Sequence, residues 1–375
     1  MAVKNKQKLY INGRFLTQSI SGVQRYAYEF VAALDRMIEQ QNPVTQYYDF
    51  ILLKPQKLNP AYDINFQHIS VRSVGAFSGH LWEQMELPFY AMNGILFCPG
   101  NTAPLIHMWS KQKTIVTVHD LSFRYFPEAY SMPFKILYYI LTPFVMRYAD
   151  LVITVSKSEY DSILNLYPVV QGRLKAVQNG GLPDRFLNLL DTIPAYDELQ
   201  PYILYVGALN PRKNPQGVIA ALNLIRKKTK INLLVIGSAG KSFTQLVYEQ
   251  SNHNRGELIF TGQVDHTEKL IAYYKGAVCF VFPSFYEASP LPPIEAMSCS
   301  CPVIAGDIIS LRERCAEAAL YCNPNAPEDI SDKIQSVIEN KEICNQLIQA
   351  GLDRSRDFTW HECVAQTLNL IQPYN

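Results

Sequence analysis

No stretch of this chain is long and apolar enough to span a bilayer, which takes about 20 mostly apolar residues. The nearest approach, PFKILYYILTPFVMRYA at 133–149, is interrupted by Lys135, Pro143 and Arg147. It reads as a buried helix, with contact at a membrane surface as the sharper alternative. The opening MAVKNKQKLYING likewise lacks the continuous apolar region of a secretory signal. No paired CxxC spacing occurs among the eight cysteines at 98, 279, 299, 301, 315, 322, 344 and 363, so a zinc site of that kind has no support. Several of them fall in apolar segments, where a thiol behaves as a small hydrophobe. A reducing cytoplasm is the simplest setting. Net charge is also scarce: 34 basic against 33 acidic residues leave +1, which gives wholesale nucleic-acid binding no electrostatic footing. Asp-x-Asp is absent, as is any His/Cys ligand cluster. No metal and no resident cofactor are expected.

What is present is a folded composition, 48% hydrophobic and 18% charged over 375 residues, enough for two domains. Strand-like and helix-like segments alternate. Residues 8–12, 49–53, 69–74, 115–119 and 151–156 read as strands. Residues 24–40 carry Ala27, Phe30, Val31, Leu34 and Ile38 on one helical face. Ser156 followed by Glu159 is a capping-box signature. The periodicity fades over 183–201, which prolines at 183, 194 and 201 punctuate. Alternation restarts with strands at 202–206, 232–236, 258–261, 277–282, 302–305 and 319–322, and a helix at 216–227. Such alternation implies parallel sheets covered on both faces. The expected fold is therefore α/β, two doubly wound Rossmann-like domains facing a cleft. The first spans 1–185 and is joined by a C-terminal helix at about 357–375. A linker covers 186–201, and the second domain covers 202–356. Ligands of such sheets sit beyond the carboxyl ends of the strands.

The chemistry gathers at those ends. In EASPLPPIE, Glu287 and Glu295 lie eight positions apart between a strand and a helix start. A strand, a turn and a helix N-terminus form an anion site, and flanking carboxylates suit a ligand carrying both phosphates and hydroxyls. Nucleotide sugars carry both. Ordinary surface charge is the bland alternative. Arg212 and Lys213, in the loop opened by Gly207, can clamp a diphosphate with a fork of donors and a mobile point charge; a solvated basic pair is the alternative. A departing pyrophosphate needs its charge neutralised, and these two cations with a helix N-terminus can supply that without a metal. His119, followed by Asp120, ends a strand, where it can bond a hydroxyl or phosphate or serve structure alone. Gly22 precedes the first helix and permits close backbone approach, though a plain turn explains it equally.

With these residues in view, the chain resembles the retaining two-Rossmann (GT-B) glycosyltransferases of family 4. The likeness runs over nearly the whole length and is strongest at 202–323. Glu287 and Glu295 match the Glu-x7-Glu motif, followed by Ala296–Met297 and the Cys-Pro-Val-Ile turn at 301–304. Gly207 to Lys213 matches the phosphate loop. His119–Asp120, Val155–Ser156 and Asn179–Gly180 match weaker N-terminal signatures. YINGRFLTQSISGVQRY and Trp82–Glu83–Gln84 point toward bacterial mannosyl- or rhamnosyl-type transferases of surface-polysaccharide (lipopolysaccharide) assembly. The resemblance implies that Glu287 holds donor-sugar hydroxyls near the reacting carbon and His119 contacts the sugar, both as catalytic residues. It implies that Glu295 holds the ribose, Arg212 and Lys213 the diphosphate, with Gly22, Gly207, Ser289, Pro290 and Leu291 close by. Asp120 and Ser156 would lie on the acceptor side. The implied donor is a GDP-, UDP- or dTDP-linked sugar. The implied acceptor is a lipid-linked or growing glycan, and the setting is cytoplasmic with peripheral contact at the inner membrane face. Transfer would retain anomeric configuration by same-face departure and attack.

The chain departs from the family's Glu-Gly-Phe-Gly-Leu-Pro. Ala288 and Pro290 stand where glycines are usual, and Ser300 replaces the glycine after Cys299. Pro290 lacks an N–H and is expected as an early helix residue after Ser289. Two other enzyme classes use paired Rossmann domains, nucleotide-sugar epimerases and sugar phosphorylases, and no lysine-anchored cofactor signature supports the second. A catalytically silent, glycan-binding partner subunit is the remaining alternative. The intact charge set of Arg212, Lys213, Glu287 and Glu295 speaks against it.

Overall fold

The computed structural model describes residues 6–110, 112–238, 256–264 and 266–372. The chain divides into two units, one of residues 1–180 with 360–375 and one of residues 181–359.

The first unit is built on seven parallel strands: β1 Gln7–Asn12, β2 Tyr48–Lys54, β3 Ser70–Ser73, β4 Ile95–Cys98, β5 Thr114–Thr117, β6 Leu151–Thr154 and β7 Leu174–Ala176. Their order is β3-β2-β1-β4-β5-β6-β7. Leu9, Tyr10 and Ile11 are buried in succession, as expected where helices cover both faces of a parallel sheet. The chain winds outward from β1 to β3, then returns to place β4 on the other side of β1. Ligand sites in open parallel sheets form at this reversal. The Gly22–Glu39 helix packs against the C-terminal helix Trp360–Ile371, with Tyr26 edge-on to Trp360 at 5.7 Å. Gly180 lies flat on that indole, so closely that a Cβ there would fall 2.5 Å from the ring.

The second unit has six parallel strands: β8 Tyr202–Val206, β9 Asn232–Ile236, β10 Leu258–Gly262, β11 Cys279–Phe282, β12 Val303–Gly306 and β13 Ala319–Cys322. Their order, β10-β9-β8-β11-β12-β13, puts the reversal between β8 and β11. One face is filled by Leu204, Phe280, Phe282 and Met297, the other by Ile203, Tyr205, Leu222 and Ile304.

The segment expected as a linker, 186–201, is part of this second unit. Phe186 is buried in its core, and Leu190, Ile193, Tyr196 and Leu199 pack against it. Lys275 Nζ donates to the carbonyls of Ile193 and Leu190 at 2.6 and 2.9 Å, and the Tyr196 amide donates to Ala272 O at 3.0 Å. Aromatic and aliphatic anchors spaced irregularly among prolines give a segment that packs without periodicity.

Three residues singled out as replacing glycines have different backbone settings. Ala288 and Pro290 are not among the positive-φ residues, so neither carries strain there. The helix after β11 runs Pro292–Ser298, with Pro292 and Pro293 in its first turn, so Pro290 precedes the helix and is not an early helical residue. Ser300 has φ of 58°. Its amide donates to Met297 O at 3.1 Å and that of Cys301 to Ala296 O at 3.0 Å, the two bonds of a Schellman helix end that favours glycine at this position. Ser300→Gly is therefore expected to raise stability by about 0.5–1 kcal/mol, the left-handed penalty less glycine's greater unfolded freedom. Urea unfolding checks it; an unchanged or lower midpoint counts against it.

Among the described residues, all eight cysteines are free, seven are buried, and no helix is long and apolar enough to cross a membrane.

Candidate active site

Beyond β8 the chain folds back in one short turn. Asn210 Oδ1 accepts the Lys213 amide at 3.2 Å, closing the turn Pro211–Lys213. Asn214 then takes a left-handed φ of 54°, which asparagine tolerates better than most residues. Its Oδ1 accepts the Gly217 amide at 3.1 Å and caps the Pro215–Ile225 helix. Its Nδ2 donates to Pro324 O at 2.7 Å and Pro283 O at 3.3 Å. One side chain thereby ties the loops that follow β8, β11 and β13.

The β8 and β11 loops are stitched further. The Phe285 amide donates to Arg212 O at 2.9 Å, and Arg212 Nη1 donates to Tyr286 O at 2.7 Å. The stitches bring Glu287 onto both cations. Lys213 Nζ donates to Glu287 Oε1 at 2.7 Å, and Arg212 Nη1 lies 3.4 Å from Oε2. The Lys213 ammonium also sits 4.9 Å from the centre of the Phe282 ring. Burial pushes the Glu287 carboxyl up, but Lys213 and Arg212 outweigh it and hold the group below the usual carboxylate range. The result is a fixed anion between two cations at the reversal of the sheet. Cations of this kind match phosphate oxygens, and a carboxylate is an acceptor for hydroxyls.

The other sequence-derived candidates of this unit lie nearby in the chain. A Cβ at Gly207 would stand 3.2 Å from Lys213 Cδ, so the missing side chain makes room for the lysine stem. Ser289 is half-buried and Pro290 and Leu291 are buried ahead of the Pro292–Ser298 helix. Glu295 is buried within that helix, where the Tyr274 hydroxyl donates to its Oε2 at 3.4 Å. Among the described residues, no cluster of His, Cys, Asp and Glu has the arrangement of a metal site.

In the first unit, His119 lies just past β5. Its Nε2 is 2.8 Å from Pro99 O, which makes that nitrogen the N–H donor and leaves Nδ1 the acceptor. The ring meets Tyr26 edge-on at 4.6 Å. Burial lowers its basicity, against the opposing pull of Pro99 O and Asp120, so the imidazole is neutral near pH 7. Asp120 Oδ1 accepts from Ser122 at both N and Oγ, at 3.0 and 2.6 Å. Ser156 Oγ accepts the Glu159 amide at 3.1 Å and caps Lys157–Leu166. Gly22 is the first residue of its helix rather than the residue before it, and a Cβ there would meet nothing within 4 Å.

A second charged cluster, at the β1/β4 reversal, was not read as a pair in the sequence. Arg14 Nε donates to Glu83 Oε1 at 3.0 Å with both side chains buried. Asn12 Nδ2 donates to the same oxygen at 2.6 Å, and Thr102 Oγ1 donates to Oε2 at 2.7 Å. Arg14 Nη2 reaches Gly100 O and Thr102 Oγ1, each at 3.2 Å. His80 Nδ1 lies 3.2 Å from Glu83 Oε2. Burial works against ionisation of Glu83, but Arg14, His80 and Thr102 bring its carboxyl down to about 2. The ion pair fixes the loops after β1 and β4. The WEQ segment supplied one signal, but its partner lies 69 positions away.

Comparison with known proteins agrees with this architecture. The pattern of the Glycosyl transferases group 1 matches residues 192–354, and that of Glycosyltransferase Family 4 matches residues 96–183. O-antigen chain mannosyltransferase B of Escherichia coli is 29% identical over 267 residues, 69% of this chain and 70% of that protein. O-antigen chain mannosyltransferase RfbU of Salmonella typhimurium is 30% identical over 265 residues, 70% of this chain and 69% of that one. Among solved structures, a sucrose-phosphate synthase from Thermosynechococcus elongatus superposes with a TM-score of 0.70 at 20% identity, covering 98% of each chain. WaaG, a glycosyltransferase involved in lipopolysaccharide biosynthesis, gives 0.68 at 12% identity, covering 98% of this chain and 100% of its own. These structural likenesses are of fold: two parallel α/β units of GT-B type.

Proposed function

This chain belongs to the group 1, family 4 glycosyltransferases, and from that premise we propose that it moves a hexose or deoxyhexose of the mannose or rhamnose kind from a nucleotide sugar to a lipid-linked or growing polysaccharide. The observation that carries the reading is the Lys213–Glu287–Arg212 cluster at the β8/β11 reversal. Arg212 and Lys213 take the diphosphate and neutralise the charge that develops as it leaves. Glu287, held as an anion, accepts hydroxyls of the donor sugar, and Glu295 takes the ribose. The assignments of His119 and Gly22 to sugar and phosphate rest on the family pattern alone.

The bond from the anomeric carbon to the phosphate oxygen breaks, and the bond to the acceptor oxygen forms on the same face. The acceptor's proton passes to the departing phosphate. Configuration is retained with no enzymic nucleophile. No metal is assigned, because two cations stand where one would serve. An acceptor on a lipid carrier places the enzyme in peripheral contact with the inner membrane face. The mannosyl activities named for the two O-antigen relatives support the sugar.

Thermal-shift screening with GDP, UDP, dTDP and CMP tests the donor. A nucleotide present at 100 times its Kd stabilises the fold by about 2.7 kcal/mol. Silence across the series removes the donor assignment. Proton NMR of the product reads the anomeric configuration, and inversion overturns the retaining step. Transfer that stops on chelation and returns with a divalent cation overturns metal independence. An epimerised donor without acceptor favours the epimerase.

A further inference from the structure

A cavity of about 590 Å³ opens in the first unit where β1, β2 and β3 begin. Ligands of a parallel sheet's reaction site sit at the carboxyl ends of its strands, so this cavity lies at the opposite end from transfer. Lys6, Lys8 and Arg72 line it against a single acid, Asp49. Among the described residues, none of the three cations has an ion-pair partner. Lys8 stands beside Asp49 in the ladder, Ser70 beside Ile51 and Arg72 beside Leu53. Partners in a parallel ladder share a face, and alternate residues along a strand return to it. Lys8, Ser70 and Arg72 therefore lie on one side of the sheet. Tyr48 lies on the other, and the cavity wraps the starting edge to reach both sides.

A second observation points to a ligand. Tyr48 is 2% exposed, and its hydroxyl is buried with no hydrogen-bond partner among the described residues. Buried polar groups are as a rule bonded, so an open hydroxyl in a cavity wall is a group poised for a ligand atom. The excess of cations selects an anion, and an arginine fork between lysines suits phosphate oxygens. Gln41, Gln46 and Ser70 add amides and a hydroxyl, which bond the hydroxyls of a polyol. A nucleotide fits poorly. The two rings of the lining, Tyr48 and Phe50, are 2% and 6% exposed, so neither offers a face on which a base could stack.

We propose that this cavity is a second, non-catalytic site that binds a sugar phosphate. Lys6, Lys8 and Arg72 hold the phosphate. Gln41, Gln46 and Ser70 meet the sugar hydroxyls, and the Tyr48 hydroxyl gains its partner from the same ligand. The site shares no residue with the donor site of the second unit, so it can be filled while a nucleotide sugar is bound there.

Titration calorimetry of the full chain with mannose 6-phosphate, inorganic phosphate and mannose tests it. The sugar phosphate should bind at one site, at least tenfold tighter than either fragment. Lys8→Ala/Arg72→Ala, both exposed positions, should lose at least tenfold in that affinity with an unchanged thermal transition. Tyr48→Phe, which keeps the ring and removes the open hydroxyl, should weaken binding severalfold. Lys213→Ala should leave the heat unchanged, because the donor site is elsewhere. Equal binding by the parent and Lys8→Ala/Arg72→Ala overturns the site, as does the absence of heat with the sugar phosphate. Loss of binding in Lys213→Ala alone moves the ligand to the donor site and overturns the proposal too. Inorganic phosphate that binds as tightly as mannose 6-phosphate overturns the sugar part. These outcomes are read without turnover, so they stand apart from success or failure of the glycosyltransfer reading.

Discussion

Replacing Lys213 by alanine is expected to lower kcat/KM at least a hundredfold, the scale of removing one key electrostatic contact from a transition state. Two losses combine. The ammonium no longer meets the leaving diphosphate, and Glu287 keeps Arg212 as its cation, at 3.4 Å instead of the 2.7 Å of the lysine contact. Glu287→Ala should fall by a similar factor through loss of the sugar-side acceptor. Because the two side chains form one unit, the double variant should cost far less than the product of the single losses. Near-normal rates in both single variants would remove the assignment. Glu287 is held below the usual carboxylate range by its two cations, so the acid limb of the parent's rate profile should not appear until that range is passed.

The largest stability effect is expected in the first unit. Glu83→Ala leaves the buried Arg14 guanidinium without its counter-ion, a loss on the order of 3–5 kcal/mol. For a unit of this size that corresponds to a drop in Tm on the order of 10 °C. The same pair predicts a pH response. Glu83 has its carboxyl at about 2 in the folded chain and an ordinary carboxylate range when unfolded. A depressed carboxyl stabilises above its unfolded pKa, and that contribution fades as pH falls toward the folded value. The parent should therefore lose about 3 kcal/mol between roughly pH 5 and pH 2 that Glu83→Gln does not lose. Parallel acid titrations of the two proteins would refute the ion pair as the source.

Much of this was legible in advance. The strands at Tyr202–Val206, Asn232–Ile236 and Ala319–Cys322 carry continuous apolar runs between turn residues, and their limits coincide with the expected ones. The Ser156 cap followed from a local hydroxyl-to-amide pattern. β4 and β7 were missed. Ile95–Cys98 is four apolar residues with no alternation, which periodicity cannot assign to strand or helix. Leu174–Ala176 is shorter still. Arg212, Lys213 and Glu287 were singled out because they lie in loops at strand ends, and the fold brings the three side chains together. Arg14 and Glu83 were not paired, because a buried ion pair distant in sequence looks like two surface charges until the fold brings them together.

Asn214 has a practical consequence for anyone recombining these enzymes. Its amide holds carbonyls at 283 and 324 while its oxygen starts a helix at 215. A chimera whose crossover falls between 214 and 283 inherits each half of that knot from a different parent. Swapping donor preference between relatives should therefore require exchanging the block from 202 to 324 intact, since a transplanted loop alone would arrive without its anchorage.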